Sequence, residues 1–113
     1  MDDEKSLGVL KKEVEKFRDE RDWLKFHSPK NLAVSISIEA AEMLELFQWK
    51  DPSAEDIIQE KEFAEALEGE LADVLIDCLT MANVLNIDLS TAIERKLKAN
   101  NEKYPVEEYR GRI

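Results

Sequence analysis

Two pairs of acids stand where a soluble helix would normally carry apolar side chains. Glu39 and Glu42 are three apart in Ile38-Glu39-Ala40-Ala41-Glu42-Met43-Leu44-Glu45, and Glu70 and Asp73 are three apart in Glu70-Leu71-Ala72-Asp73-Val74-Leu75-Ile76-Asp77. At 3.6 residues per turn, positions three or four apart share a face. Glu39 then falls in line with Leu32, Met43 and Leu46, while Glu70 and Asp77 fall in line with Phe63, Met81 and Val84. The carboxylates therefore face a core or a cleft. An unpaired buried carboxylate costs several kcal/mol, so something positive must compensate it. Four converging carboxylates suit a hard divalent cation, above all Mg2+.

The remaining composition narrows the fold. The chain has 113 residues, which is enough for one domain spanning residues 1–113 with a single core. With 43% hydrophobic and 37% charged residues, three glycines and three prolines, it reads as a helical protein and not a disordered one. A net charge of −10 argues against a nucleic-acid polymer as partner, because that surface must be basic. An acidic protein can still take a polyanionic nucleotide if metal ions offset the charge locally. The single cysteine, Cys78, excludes an intrachain disulfide and fits a reducing compartment, the cytoplasm. Met1-Asp2-Asp3-Glu4-Lys5 is acidic and lacks an apolar h-region, so no signal peptide is expected. No apolar run approaches the roughly 18–20 residues of a membrane span, so no membrane partner is expected.

The periodicity predicts a first helix over about 4–26, with Leu7, Leu10, Val14, Phe17, Arg21 and Leu24 in a 3-4-3-4-3 packing seam. Arg21 interrupts that seam, as a snorkelling or paired arginine or as an anion-facing one at the mouth of a site. Ser28-Pro29 reads as an N-cap and first helical residue, opening a second helix to about Gln48. Lys50-Asp51-Pro52-Ser53 breaks it, and Ser53 caps a further helical stretch over about 53–85, either continuous or with a break. Gly69, inside that stretch, implies close packing or a hinge. Asp88 caps a last helix over about 89–103, ending before Pro105; the tail 106–113 carries no strong signal. There is no strand pattern. Four helices with short connections make an all-α, four-helix-bundle-like fold. With carboxylates taking up interior positions, the core is thin and association into an oligomer is expected.

Acids at this spacing on one helix are more often a solvated face, but both pairs coincide here with apolar stripes. Di-iron bundles need Glu-x-x-His motifs, and the only histidine, His27, has no glutamate three residues before it. Zinc is disfavoured by the lack of a second histidine or cysteine. Oxygen-only ligation leaves Mg2+, with Mn2+ as a substitute.

The order Glu39-x-x-Glu42, twenty-seven intervening residues, then Glu70-x-x-Asp73 resembles the MazG-like all-α nucleoside triphosphate pyrophosphohydrolases. Arg21-Asp22-Trp23-Leu24-Lys25-Phe26-His27-Ser28-Pro29-Lys30-Asn31-Leu32, the stretch Glu39–Trp49, and Lys96-x-x-x-Asn100-x-x-x-Tyr104-Pro105 are similar to the dCTP pyrophosphatase branch of that superfamily. The resemblance implies Mg2+-dependent hydrolysis of a nucleoside triphosphate to the monophosphate and pyrophosphate, a housekeeping reaction on surplus or noncanonical nucleotides. It implies Glu39, Glu42, Glu70 and Asp73 as metal ligands. Trp23, His27 and Trp49 fall where that branch surrounds the nucleoside, and Lys96, Asn100 and Tyr104 where it contacts phosphate and sugar. It also points to a homotetramer built as a dimer of dimers, or a homodimer, with sites near subunit contacts. Two departures stand out. Ile38 is a non-acid where many MazG-like sequences double the glutamate, as in the dCTPase branch. Asp77 stands where that branch tends to carry tyrosine, which opens the base and sugar preference and makes Asp77 a candidate substrate or metal contact.

For the chemistry itself, phosphoryl transfer needs positioning and charge neutralisation, with a carboxylate to accept a proton from the attacking water. Glu42 is the first candidate base and Glu45 the second. The rival readings are an all-α dUTPase-like enzyme and a noncatalytic acidic helical interaction module.

Overall fold

Serine and aspartate caps divide the chain. In a computed structural model describing residues 1–113, the Ser6 hydroxyl accepts from the Val9 amide and opens helix α1, Leu7–Glu20. Ser28 does the same for Asn31 with Pro29 at the first helical position, opening α2, Pro29–Glu45. Ser53 caps α3, Ala54–Gln59, and Asp88 caps α5, Leu89–Lys103, by accepting from the Thr91 amide. Between them runs the long helix α4, Lys61–Leu85, and a single turn, α6, Val106–Tyr109, follows α5. No strand forms.

Several boundaries differ from the sequence expectation. The first helix is shorter, because Asp22 adopts the left-handed conformation (φ 53°) and the Trp23 amide bonds back to the Arg18 carbonyl at 3.1 Å. A 3-10 turn, Leu24–Phe26, fills the remainder. Arg21 accordingly lies just beyond α1, stacked over the Phe17 ring at 3.8 Å, donating to the Phe17 carbonyl and paired with Glu20 at 3.9 Å. The helix α2 ends at Glu45, three residues early. The third stretch is broken, not continuous: Glu60, with its extended backbone (φ −94°, ψ 93°), separates α3 from α4. Gly69 marks neither a hinge nor a close approach. The helix α4 runs through it, and an added Cβ would meet nothing within 4 Å. The tail contains α6, whose Tyr109 meets Tyr104 edge-on at 5.2 Å.

The two acidic helices, α2 and α4, pack together over the largest internal interface; α1 lies along α4 and α3 folds back onto it. The pairing of α2 with α4 is antiparallel: Ser35 faces Asp77, Glu39 faces Asp73, and Glu42 faces Glu70 in successive turns. The buried apolar core is small: Leu32, Phe63, Leu79 and Ala82, with Phe47 edge-on to Phe63 at 5.4 Å. Arg18 is also buried and pairs with Asp19 at 2.9 Å.

At the end of α4 the chain turns sharply. Asn86 takes the left-handed conformation (φ 55°), the Ile87 amide bonds to the Ala82 carbonyl, and α5 leaves at 105° to α4. The corner is braced from α1, where Lys11 Nζ donates to the Ile87 carbonyl at 2.7 Å and Asn83 Nδ2 donates to the Lys11 carbonyl at 2.9 Å. Three of the four long helices thus form the expected bundle, while α5 packs extensively against none of them. The shape follows. The radius of gyration is 17.1 Å, against roughly 13 Å for a compact chain of this length. The accessible surface is 9300 Å2, against roughly 6400 Å2 for a compact monomer of this mass. No single helix is long and apolar enough to cross a membrane.

Candidate functional site: a carboxylate cluster between two helices

Helical periodicity delivers the acids to one place. Oxygens from Glu39, Glu70 and Asp73 all lie within 4.8 Å of one another. Glu39 and Glu70 are half-buried, and one oxygen of each, Oε2, is shielded from solvent with no hydrogen-bond partner. Orphaned buried oxygens of this kind call for an explanation. No base supplies one. Of the molecule's seven ion pairs, none includes Glu39, Glu42, Glu45, Glu70, Asp73 or Asp77. Burial first, then the Glu42 carboxylate and its hydrogen bond, then Asp73 and Asp77 push the Glu39 carboxyl above its ordinary range. Burial, then Glu42 and Asp73, does the same to Glu70, with a smaller contribution from Glu45. Every influence on these two groups opposes ionisation. The donor set is hard, anionic, convergent and uncompensated, and it fits a divalent cation such as Mg2+.

The other sequence candidates fall into two groups. Near the cluster, Glu42 is exposed on α2 and within hydrogen-bonding reach of both Glu39 and Glu70; Glu45, at the last turn of α2, is exposed beside Glu70. Asp77 is half-buried one turn beyond Asp73 and accepts from the Ser35 hydroxyl at 2.6 Å. Away from it, Trp23 and His27 precede α2, whereas Trp49 follows it, 87% exposed. Seventeen residues of α2 separate the two ends, about 25 Å of helix. Trp23 packs edge-on against Phe17 at 5.7 Å. His27 is half-buried, with Nδ1 shielded and unpartnered. Lys96, Asn100 and Tyr104 lie along α5, which does not pack onto the acidic helices.

One residue beside the site escaped the sequence reading. Ser35 lies four residues before Glu39, hence on the same face, and a small hydroxyl among alanines and serines gave no reason to single it out.

The sequence model of the MazG-like family matches residues 34–112, which include the four acids and all of α5. The chain is 39% identical over 110 residues to dCTP pyrophosphatase 1 of Rattus norvegicus and 35% identical over 105 residues to dCTP pyrophosphatase 1 of Homo sapiens. These matches cover 96% and 90% of this chain, but the chain spans only 64% and 61% of those proteins' lengths. A crystal structure of a pyrophosphatase from Archaeoglobus fulgidus DSM 4304 superposes with a TM-score of 0.76 at 48% identity, covering 85% of this chain and 89% of that one. With a family match running through residues 34–112 and relatives 35–39% identical over most of its length, the chain belongs to the MazG-like family.

Proposed function

We propose that the protein is a Mg2+-dependent nucleoside triphosphate pyrophosphohydrolase, releasing the monophosphate and pyrophosphate and acting on the cell's nucleotide pool. One observation carries this reading: three carboxylates converge within 4.8 Å between α2 and α4, with orphaned oxygens and no basic partner. The likeness to two dCTP pyrophosphatases supports nucleotides such as dCTP as the substrate class.

In this reading Glu39, Glu70 and Asp73 hold the cation, with Glu42 completing the set from the adjacent turn of α2. A Mg2+ held by these residues would supply neutralisation of triphosphate charge and acidification of water. Glu42, exposed at the edge of the cluster, accepts the proton from the attacking water, and Glu45 is the alternative acceptor. The rigid pairing of α2 with α4 fixes the spacing of these oxygens before substrate arrives.

Lys96, Asn100 and Tyr104 complete the site from a second copy of the chain. Three features favour that arrangement. The helix α5 lacks an extended internal packing surface. Residues 1–88 carry 22 acids and 10 bases, whereas residues 89–113 carry four acids and six bases, so the projecting arm is complementary to the acidic body. The molecule also exposes two separate apolar faces: a groove of about 420 Å3 containing Val14, Phe17, Leu75 and Leu79, and the outer side of α2 with Val34 and Ile38. Two faces suit a dimer of dimers. Assembly also offers the way for Trp23 and Trp49, at opposite ends of α2, to approach one nucleoside.

The test is pyrophosphate release from a panel of nucleoside triphosphates with and without Mg2+, repeated on Asp73→Asn. Hydrolysis that needs Mg2+ and vanishes in a folded Asp73→Asn protein is expected. Full activity in that variant refutes the assignment. A chain whose thermal stability ignores Mg2+ is instead a noncatalytic helical module.

A further inference from the structure

The acidic ridge of α4 does not stop at Asp73. Asp77 lies one turn further, half-buried and without an ion pair, and its one side-chain partner is the Ser35 hydroxyl on the facing turn of α2. That bond is 2.6 Å long, within the short range of a hydroxyl donating to a carboxylate. Ser35 uses its proton unusually for a helical hydroxyl. Ser37 and Thr80 donate back to carbonyls four residues earlier, at 3.0 Å from Ala33 and 2.8 Å from Ile76, but Ser35 reaches across to the other helix. Asp77 is not among the three acids whose oxygens converge, yet its charge still reaches Glu39.

This placement separates Asp77 from the direct ligands by about one helical turn, roughly 5–6 Å between Cβ atoms. A water molecule spans such a gap, and Mg2+ sheds its waters reluctantly and keeps several of them. A carboxylate can only accept hydrogen bonds. With Oδ2 committed to Ser35, Oδ1 is left for a donor, and a phosphate oxygen is not one.

We propose that Ser35 and Asp77 form a water-orienting pair for the cation site: Ser35 fixes the Asp77 carboxylate, whose free oxygen accepts a hydrogen bond from a water held on the cation. The pair rests on the cation reading above and gives it a fifth acid that acts through water. Groups that orient a metal's surroundings typically change its affinity by roughly ten- to a hundredfold when removed.

Calorimetric titration with Mg2+ alone, with no nucleotide, tests the pair in the intact protein. Asp77→Asn should retain one binding event with affinity reduced roughly tenfold, because Ser35 would hold the amide oxygen and turn the NH2, a donor, toward the water. Ser35→Ala keeps the charge but frees the carboxylate, and should weaken binding several-fold; Ser35→Thr, which keeps the hydroxyl, should restore it. Asp73→Asn, a direct ligand, should abolish binding. Parent-like affinity in both Ser35→Ala and Asp77→Asn overturns the pair. Loss confined to Asp77→Asn, with Ser35→Ala unchanged, reduces Asp77 to a background charge and overturns it too. Complete loss in Asp77→Asn makes Asp77 a direct ligand, again against the proposal. A parent that takes up no Mg2+ overturns the cation reading itself, a failure visible before any variant is measured. Circular dichroism of each variant separates these outcomes from misfolding.

Discussion

The helices α4 and α5 follow one another in the chain and meet at 105°, yet they live in opposite environments. Phe63, Leu79, Thr80 and Ala82 of α4 are buried, and the helix touches α1, α2 and α3. No residue of α5 is buried. The first helix derives its stability from packing and can therefore carry destabilising acids on its inner face. The second has 15 residues, a length at which an isolated helix is marginal in water. The corner from which it leaves is braced by the hydrogen bonds among Lys11, Asn83 and Ile87. The contrast sets an anionic cluster enclosed within the protomer against a more basic arm that packs extensively on none of the other helices, and the proposed joining of the two by a second copy of the chain can be broken by experiment.

Outside the carboxylate cluster, the largest effect should come from stripping the arm. Replacing Lys96, Asn100 and Tyr104 together by alanine should lower turnover by roughly a hundredfold or more, the scale of losing substrate positioning. Mg2+ binding measured by calorimetry should stay at the parent level, since the carboxylates lie on the other helices. Loss of Mg2+ binding as well would erase the distinction between the two halves. Next, Trp49→Ala should weaken nucleotide binding by roughly 1–3 kcal/mol, the range of a base stacked on an aromatic ring, again sparing Mg2+. Unchanged nucleotide affinity would remove Trp49 from the site.

The acidic half should also reveal itself through pH. The raised carboxyls of Glu39 and Glu70 bind protons more tightly in the folded than in the unfolded protein, whose ordinary value is near 4.5. Their contribution to stability is therefore present at low pH and lost as pH rises through the raised values. Without metal, the part of the unfolding midpoint due to these groups should fall across the window just above 4.5, and Mg2+ should restore it at neutral pH. The double variant Glu39→Gln, Glu70→Gln should melt higher than the metal-free parent at pH 7 and show no response to Mg2+. A lower midpoint for that variant would mean that the charges are compensated in a way the structure does not contain. The smallest effect belongs to the far end of α1. Asp22→Gly relieves a left-handed backbone at φ 53° and should change stability by less than about 1 kcal/mol, in the stabilising direction. Both halves of the site should ignore it; altered turnover would tie the Trp23 corner to catalysis.

The sequence was most legible where one rule acted alone. Placing Glu39 with Leu32 and Glu70 with Phe63 needed only the helical period, and those residues are buried or half-buried as expected. The caps at Ser28, Ser53 and Asp88 were equally local. The end of α1 was not, because the apolar seam continues through Leu24 while the backbone has already reversed at Asp22. Gly69 misled because glycine marks a permitted close approach without requiring one, and here nothing approaches. The direction of α5 was hidden for a deeper reason. Its period defines a face but not what covers it, and nothing local to residues 89–103 states that the other helices of the chain leave that face free. Ser35 was invisible because its role depends on Asp77, 42 residues away, across a register that only the packed helices define.

The shared-site claim is tested most directly by mixing two inactive chains. Asp73→Asn lacks the carboxylate half; the Lys96, Asn100, Tyr104 triple-alanine chain lacks the arm half. Each alone should release almost no pyrophosphate from a nucleoside triphosphate with Mg2+. Co-refolded, some assemblies would pair the intact cluster of one chain with the intact arm of the other, and activity should return. If the mixture stays as inactive as its components while size-exclusion chromatography shows that mixed assemblies have formed, the two halves do not meet between chains, and the account of the site is wrong.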